Sequence, residues 1–350
     1  MHLKKKFSTP SGRASTLNQH APQQDEEAAL AARAAWLHFA GGKTQGEVAE
    51  LLGVQSTKAH RLIARARADG LIRVFVEGPI SGCIALEEKL KEHYGLHFCE
   101  VVPNLDEGPL PLKTLGMAGA RYLRNLIEDR RYGMIGIGHG RTLAAAVDLM
   151  PSVAARSTRF VSLLGGLTRR FAASPFDVIH RLAERTAAEA YVMPVPFFAN
   201  SATDREVLEA QYGVSDVLAM ARQAELYIAG IGEVDRKSFI ATAGMVDEED
   251  VDEVMKTGAC AEILGHFFSE HGQHLPNSVS DRALAPRFAD LKSHKIVALA
   301  GGTSKTRAIR AILEHGLLFG LITDEATAKR LVALKPGREP GKKNGKTAPG

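Results

Sequence analysis

A short apolar segment that ends in glycine is the feature that most constrains the fold of this chain, and it occurs four times. The glycines lie at residues 136–140, 165–166, 230–232 and 301–302. Apolar segments of this length, alternating with helical patterns, are typical of βα units and predict a mostly parallel sheet. Ligands bind such sheets outside the carboxyl ends of the strands. The sequence therefore predicts an α/β domain in which four glycine turns meet at one crevice.

The first of these turns predicts an anion site. Residues 134–143 read MIGIGHGRTL, an apolar strand followed by alternate glycines and the start of a helix. The unpaired amide groups and the dipole of a helix N-terminus favour an anion, here the phosphate of a small metabolite. A dinucleotide fingerprint is excluded because position 141 is arginine, and the Gly-Lys-Ser/Thr of a Walker loop is absent. The alternative is a tight βα turn that binds nothing.

Two charged residues strengthen this prediction. Lys305 follows Gly301-Gly302 in the first turn of a helix, where an ammonium group can meet a phosphate. Glu262 lies within the apolar run ACAEI, where a carboxylate needs a partner such as a sugar hydroxyl. The alternatives are an ordinary exposed lysine and a glutamate on the solvent face of a helix.

Composition excludes several classes of protein. The 350 residues are 45% hydrophobic and 24% charged, which is typical of a soluble globular protein of two domains, or one with an appendage. No apolar run approaches the length of a membrane span, and no signal-peptide core follows the N-terminal lysines. The three cysteines are far apart, which favours reduced thiols in a cytoplasmic protein. We expect no cofactor, no metal and no membrane contact.

The N-terminal region has the pattern of a helix-turn-helix. Thr44 and Glu47 form a capping-box pattern, Gly53 makes the turn, and Ser56 is expected to cap a helix with one basic face. Leu71 to Glu77 alternates as a short strand, so we predict a winged helix-turn-helix that binds double-stranded DNA. A helical hairpin used for dimerisation is the alternative. The residues predicted to contact DNA are Gln55, Thr57, Lys58, His60 and Arg61 at base edges and Arg65, Arg67 and Arg73 at phosphates. Ser56, at the start of the same helix, is also counted among the DNA-binding residues.

Four segments follow from these patterns. Residues 1–24 and 335–350 are predicted to be disordered basic tails. Residues 25–77 form the winged helix-turn-helix domain, and residues 78–334 form the α/β domain that binds an effector and forms oligomers.

The order of motifs resembles the SorC family of sugar-responsive transcription regulators. TQGEVAELLGV, GIGHGRT, LLGG, GACAEILGHFF, LAGGTSK and LITDE occur in the family order and cover roughly residues 27–333. The stretches AAWLHFAGGKTQGEVAELLG and MPVPFFANS also resemble the erythritol-catabolism subgroup of the family. Ala261, Ser269, His139 and Arg141 depart from the common family pattern, which leaves the identity of the effector open.

The resemblance implies a fold like that of sugar-phosphate isomerases and glucosamine-6-phosphate deaminase. It also implies a phosphorylated sugar or polyol as effector, operator DNA as partner, and a homo-oligomer that is a dimer or, as is usual in the family, a tetramer. Glu262 would hold effector hydroxyls, and Gly165 and Gly166 would line the pocket. The implied phosphate site consists of Gly138, Gly140, Arg141, Thr142, Gly302 and Lys305.

Two functions remain open at this point. The first is a DNA-binding regulator, expected to be a repressor, of a carbohydrate or polyol catabolic operon that is controlled by the bound effector. The second is a sugar-phosphate isomerase or deaminase with an accessory helical domain, because a fold alone does not give function. An enzyme needs a positioned acid or base, for which Glu262, Asp324 and His139 are the candidates, but they form no clear pair and no catalytic residue is predicted.

Overall fold

The computed structural model describes residues 21–69, 71–72, 81–105, 107–166 and 178–334. The chain folds into two compact units, Met1–Val74 and Phe75–Gly350.

The first unit is a small helical bundle. Its helices are α1 (Ala21–Ala35), which continues into a π-helical turn (Trp36–Ala40), α2 (Gln45–Leu52) and α3 (Ser56–Ala68). Its core is built from small and aliphatic residues, and Val48 and Leu62 are among the most buried. The capping box that starts α2 is confirmed: the Glu47 amide donates to Thr44 Oγ1 at 3.3 Å, and the Thr44 amide donates to Glu47 Oε2 at 2.8 Å.

Several details of this unit differ from the prediction. Helix α1 begins at Ala21, within the segment predicted to be disordered. The residue before α3 is Gln55, whose side chain makes no capping hydrogen bond, and Ser56 is already helical. Leu51 is 57% exposed, whereas Val48, three residues earlier on the same helix, is buried. The predicted wing strand lies almost entirely outside the described residues.

The second unit is built on a seven-stranded parallel sheet. The strands of the unit are β1 (Phe98–Val102), β2 (Met134–Ile137), β3 (Arg159–Ser162), β4 (Ala190–Tyr191), β5 (Leu226–Ala229), β6 (Gly232–Glu233), β7 (Ala259–Ile263), β8 (His266–Ser269), β9 (Ile296–Leu299) and β10 (Gly320–Asp324). The order in the parallel sheet is β1-β10-β9-β5-β2-β3-β4, and every neighbouring pair is parallel. A separate three-stranded antiparallel sheet has the order β6-β7-β8. The predicted mostly parallel α/β fold is confirmed.

Helices cover both faces of the parallel sheet, so its strands are buried on both sides. In β5, Leu226 and Ile228 belong to one hydrophobic cluster while Tyr227 and Ala229 belong to the other. Strands of this kind read as continuous apolar runs, which is why the pattern predicted a parallel sheet. The helices are α4 (Ser81–Tyr94), α5 (Leu112–Glu128), α6 (Arg141–Leu149), α7 (Ile179–Thr186), α8 (Ala202–Glu209), α9 (Val214–Gln223), α10 (Phe239–Thr242), α11 (Glu248–Lys256), α12 (Phe288–Leu291), α13 (Thr306–His315) and α14 (Glu325–Ala333).

The topology places a crevice between β2 and β5. The chain runs from β2 outward to β3 and β4, and then crosses back to β5 on the other side of β2. The strand order therefore reverses at the carboxyl ends of β2 and β5, which is where open α/β sheets bind ligands.

A cluster of histidine and phenylalanine rings supports the antiparallel sheet. His266 and Phe268 of β8 lie against His274, whose ring stacks on Phe288 with centroids 3.6 Å apart. His274 Nε2 is buried and has no hydrogen-bond partner in the described part of the chain. Burial, together with the nearby His266, His315 and Lys292, lowers the pKa of His274 to about 4. The surroundings of His274 therefore favour its neutral form.

This cluster should make the protein less stable in mild acid. Because the folded pKa of His274 lies below its ordinary value near 6.5, the unfolded chain takes up the proton first as the pH falls. His274→Phe keeps the stacking on Phe288 and removes the titration. Between pH 7 and pH 5 we expect wild type to lose about 2 kcal/mol of unfolding free energy that the variant retains. Urea unfolding at the two pH values measures this, with the exposed His271→Gln as control; equal losses in all three proteins would contradict it.

Candidate functional site

A cavity of about 690 Å³, open to solvent at its mouth, lies at the carboxyl ends of β2 and β5. The loops after these strands form its floor, with Gly138–Leu143 on one side and Gly230–Glu233 on the other. Its apolar walls come from Leu164, Phe197, Phe239, Ile240, Met245 and Leu264. Phe197 belongs to the proline-containing segment MPVPFFANS.

Most of the predicted effector residues lie together in this cavity, and three do not. The six that line it are Gly138, Gly140, Arg141, Thr142, Glu262 and Lys305. Gly165, Gly166 and Gly302 are not among the lining residues.

Gly165 and Gly166 hold the neighbouring loop in place. The Gly165 amide donates to the Leu284 carbonyl at 3.0 Å, and the Gly166 amide donates to the Val195 carbonyl at 2.7 Å. A Cβ atom on Gly165 would clash with the Pro196 carbonyl. These glycines permit a close approach of two backbones and position Phe197, so their predicted place in the pocket wall is wrong; Leu164 lines the cavity instead.

The predicted phosphate contact of Gly302 is also wrong. Its amide is already used, donating to Asp324 Oδ2 and to Thr327 Oγ1 at 2.8 Å each. Gly302 lines a different cavity, with Asn104 and Glu107. It has a φ of +103°, so glycine is favoured here for conformation.

The N-terminus of α6 points unpaired amides at the cavity. Gly140 precedes the helix with a φ of +128°, and the first intrahelical bond runs from the Ala144 amide to its carbonyl at 2.9 Å. The amides of Arg141, Thr142 and Leu143 therefore have no acceptor within the helix, and the dipole favours an anion beside them. The Gly138 amide instead donates to the Ile228 carbonyl at 2.9 Å, so it extends the sheet pairing.

Lys305 brings a cation to the same cavity. It ends a 3-10 turn, Thr303–Lys305, and its Nζ donates to the Ile231 carbonyl at 2.8 Å. Burial lowers the pKa of Lys305, and the neighbouring positive charge of Arg141 lowers it further. Two cations held close together in a partly buried place favour an anion between them.

Glu262 is a buried strand residue, 9% exposed, and not a residue on the solvent face of a helix. Its Oε1 accepts a hydrogen bond from the Gly265 amide at 2.7 Å, across a two-residue hairpin turn in which Leu264 and Gly265 both have positive φ. A Cβ atom on Gly232, its partner in the sheet, would lie 2.8 Å from Oε2. Burial raises the pKa of Glu262 to about 7. Near neutral pH such a carboxyl group can accept a hydrogen bond from a hydroxyl or donate one to it.

The raised pKa gives a prediction for stability. The folded protein holds the Glu262 proton more tightly than the unfolded chain, so this stabilising contribution is present below pH 4.5 and is lost as the pH rises through about 7. Glu262→Gln keeps an acceptor for the Gly265 amide and carries no charge. Relative to wild type, we expect the variant to gain about 2 kcal/mol of unfolding free energy between pH 5 and pH 8. Urea unfolding tests this, with the exposed Glu206→Gln as control, and a constant difference between variant and wild type would contradict it.

Sequence reasoning missed one charged residue of the cavity. Glu233 ends β6, directly after Gly230-Ile231-Gly232, and its side chain is half-buried. Burial raises the pKa of Glu233, which the positive charges of Lys305 and Arg141 oppose. The glycine turn before it was the available signal, because that turn was already predicted to face the crevice.

Of the three candidate catalytic residues, Glu262 and His139 line the cavity and Asp324 does not. Asp324 caps α14, and its oxygens accept from the Thr327 amide at 3.0 Å, from Thr327 Oγ1 at 2.6 Å and from the Gly302 amide. It does not line the cavity that holds Glu262 and His139. His139 is buried, and its Nε2 lies 3.3 Å from the Leu164 carbonyl.

The predicted DNA-binding residues that the structure describes lie on or next to α3. The helix buries Ala59, Leu62, Ile63 and Ala66. The exposed residues are Gln55, Ser56, Thr57, Lys58, His60, Arg61 and Arg67.

The first unit corrects one of the predicted phosphate contacts. Arg65 is half-buried and pairs with Glu27 at 2.7 Å and with Asp69 at 3.4 Å, so it joins α1 to α3. Because its charge is already paired within the unit, Arg65 is a poor candidate for a phosphate contact. Arg73 lies outside the described residues. No helix in the described part of the chain is long and apolar enough to span a membrane.

Comparison with known proteins gives one family. The family described as "Putative sugar-binding domain" matches residues 78–333. The erythritol catabolism regulatory protein EryD of Brucella abortus is 54% identical over 314 residues, which cover 90% of this chain and 99% of EryD. The transcriptional regulator LsrR of Klebsiella pneumoniae is 30% identical, over 91% of this chain and 97% of that protein.

Solved structures agree at the level of the fold. The full-length sorbitol operon regulator SorC from Klebsiella pneumoniae aligns with a TM-score of 0.63 and 22% identity, covering 88% of this chain and 99% of SorC. A transcriptional regulator from Streptococcus pneumoniae aligns with a TM-score of 0.65 and 25% identity, covering 72% of this chain and 97% of that one.

Proposed function

This chain belongs to the sugar-binding-domain family of SorC-type transcription regulators, and from that premise we propose that it represses a polyol or sugar catabolic operon. In this proposal α3 binds operator DNA, and the cavity binds a small polyol or sugar phosphate that changes operator affinity. The relatives are regulators and not enzymes, and the separation of Asp324 from the cavity gives no support to an isomerase or deaminase.

One observation carries the effector half of the proposal. The cavity joins the amides of the α6 N-terminus and two cations, Arg141 and Lys305, to two carboxyl groups, Glu233 and Glu262. The amides and cations suit a phosphate, and the carboxyl groups suit hydroxyls. The 54% identity to an erythritol catabolism regulator favours a polyol over other hydroxylated phosphates.

The operator half of the proposal rests on the exposed basic face of α3. Lys58, Arg61 and Arg67 are exposed in the part of the helix-turn-helix that enters a major groove in related folds. We propose a cytoplasmic homo-oligomer, a dimer or tetramer, which presents at least two such helices. Half-sites should then lie about 34 Å apart, or at multiples of that distance.

Fluorescence anisotropy of the full chain on DNA from its own upstream region tests both halves. The titration is run at two salt concentrations, with and without erythritol, erythritol 4-phosphate, glycerol 3-phosphate and other sugar phosphates. We expect tight binding that weakens as the salt concentration rises, because contacts to DNA phosphates release counterions. We also expect one phosphorylated compound to weaken this binding. Absence of specific binding under every condition would reduce the N-terminal unit to an assembly element and refute the proposal.

A further inference from the structure

Glu233 is a charged side chain of the cavity that no motif of the sequence accounts for. It is half-buried at the end of β6. In the described part of the chain, no donor lies within hydrogen-bond distance of its carboxylate and no cation lies within ion-pair distance. Its interactions with Lys305, Arg141 and Asp235 are longer-range and electrostatic.

The two cations that line the same cavity also have no ion-pair partner among the described residues. Arg141 makes no ion pair with a described carboxylate, and Lys305 donates to the Ile231 carbonyl and not to an acid. Both nevertheless favour the ionised form of Glu233. Opposite charges that face one cavity without meeting leave room for a ligand between them, and partly buried groups of this kind are costly unless a ligand satisfies them.

The two carboxyl groups of the cavity are not equivalent. Glu262 is already engaged by the Gly265 amide, which fixes its orientation. The carboxylate of Glu233, which lines the same cavity, has no such donor in the described part of the chain. A polyol chain that extends from an anion held by Arg141 and Lys305 offers hydroxyl donors to these oxygens, whereas an anion without hydroxyls offers only further negative charge.

We infer that Glu233 is a specificity-determining residue, which selects anions that carry hydroxyl groups and rejects bare anions. This inference rests on the proposed effector site and adds a second requirement to it. The cations and the α6 N-terminus attract anions in general, and Glu233 opposes all those that cannot donate hydrogen bonds to it. The chain would thereby distinguish a polyol phosphate from the inorganic anions of the cell.

Isothermal titration of the full chain with erythritol 4-phosphate, glycerol 3-phosphate and inorganic sulfate tests the inference. Sulfate carries no proton at pH 7.5 and therefore serves as the bare anion. In Glu233→Gln we expect the Kd for the polyol phosphates to rise about 10-fold, through loss of charged hydrogen bonds. We expect the Kd for sulfate to fall about 5-fold, because a like charge is removed.

Two further variants separate recognition from damage to the fold. Glu233→Asp keeps the charge and shortens the side chain, so sulfate affinity should stay at the wild-type value while polyol phosphate affinity falls. Glu206→Gln removes an exposed acid and should change neither. Opposite movement of the two affinities in Glu233→Gln supports the inference, since a misfolded site would weaken both.

The outcomes also separate this inference from the function it rests on. If wild type binds the polyol phosphates and Glu233→Gln shifts both Kd values in parallel or not at all, the role of Glu233 is refuted and the effector site stands. If wild type binds neither polyol phosphate, both the effector site and the role of Glu233 are refuted.

Discussion

Lys305→Met is expected to abolish the effector response while operator binding persists. The Lys305 ammonium group lies in the cavity beside Arg141, held by the Ile231 carbonyl at 2.8 Å. Methionine keeps most of the apolar stem and removes the charge. Loss of one partner from a buried, hydrogen-bonded charge pair costs about 2–5 kcal/mol, so the Kd for the polyol phosphate should rise about 100-fold. Titration calorimetry with erythritol 4-phosphate and anisotropy on operator DNA measure the two properties separately.

The same substitution should not destabilise the fold. Burial already lowers the pKa of Lys305, which shows that the folded protein holds this charge at a cost. We therefore expect an unfolding free energy equal to or above that of wild type, which separates weaker ligand binding from a damaged domain. The exposed Lys113→Met serves as control. A normal effector response in Lys305→Met would remove Lys305 from the anion site.

Arg61→Ala should produce the reverse result. Arg61 is exposed on α3, directly before the buried Leu62 and Ile63, so its guanidinium is free to contact DNA while the helix stays packed. Removing a side chain that reads a base edge costs about 1–3 kcal/mol, so operator affinity should fall about 10- to 100-fold. Effector binding should be unchanged, because the cavity residues all belong to the second unit.

Arg65→Ala is the matched comparison for Arg61→Ala. It removes the same charge from the same helix, but Arg65 is paired with Glu27 and Asp69. Its loss should lower the melting temperature of the helical unit and affect specific and non-specific DNA binding alike. If Arg61→Ala also weakened both kinds of DNA binding equally, Arg61 would be a phosphate contact and not a base contact.

The sequence was most informative where local chemistry decides the structure. Continuous apolar runs that end in glycine identified four strands of the parallel sheet, β2, β3, β5 and β9. The capping box at Thr44 is likewise a local hydrogen-bond pattern and was confirmed. Only two of the four glycine turns, those after β2 and β5, meet at the cavity, because these two strands are parallel neighbours in the sheet. The turns at 165–166 and 301–302 do not line it.

The antiparallel sheet was missed for a physical reason. The β7 strand is buried at every position, so its apolar pattern has no period that distinguishes strand from helix. Its hairpin turn consists of Leu264 and Gly265, both with positive φ, and leucine is an unusual residue at such a position. No turn signal in the sequence therefore marked the hairpin that carries Glu262.

The errors in the predicted site came from partners distant in sequence. Whether the Gly302 amide faces a ligand depends on Asp324 and Thr327, which take it first. Whether Arg65 is free depends on Glu27, which belongs to another helix. Neither pairing can be read from the local pattern, since the same residues would be equally acceptable unpaired at a surface.

The reversal of strand order at β2 and β5 has a consequence for folding. The cavity takes Arg141, Glu262 and Lys305 from widely separated parts of the chain, so it is complete only when these parts have packed together. Contacts of such long sequence separation form late, since the entropy of closing the intervening loops must be offset first. Effector is therefore bound by the completely folded domain, and at about 100 times its Kd it would add about 2.7 kcal/mol to stability. A rise in effector concentration should thus lengthen the lifetime of the folded regulator as well as change its affinity for DNA.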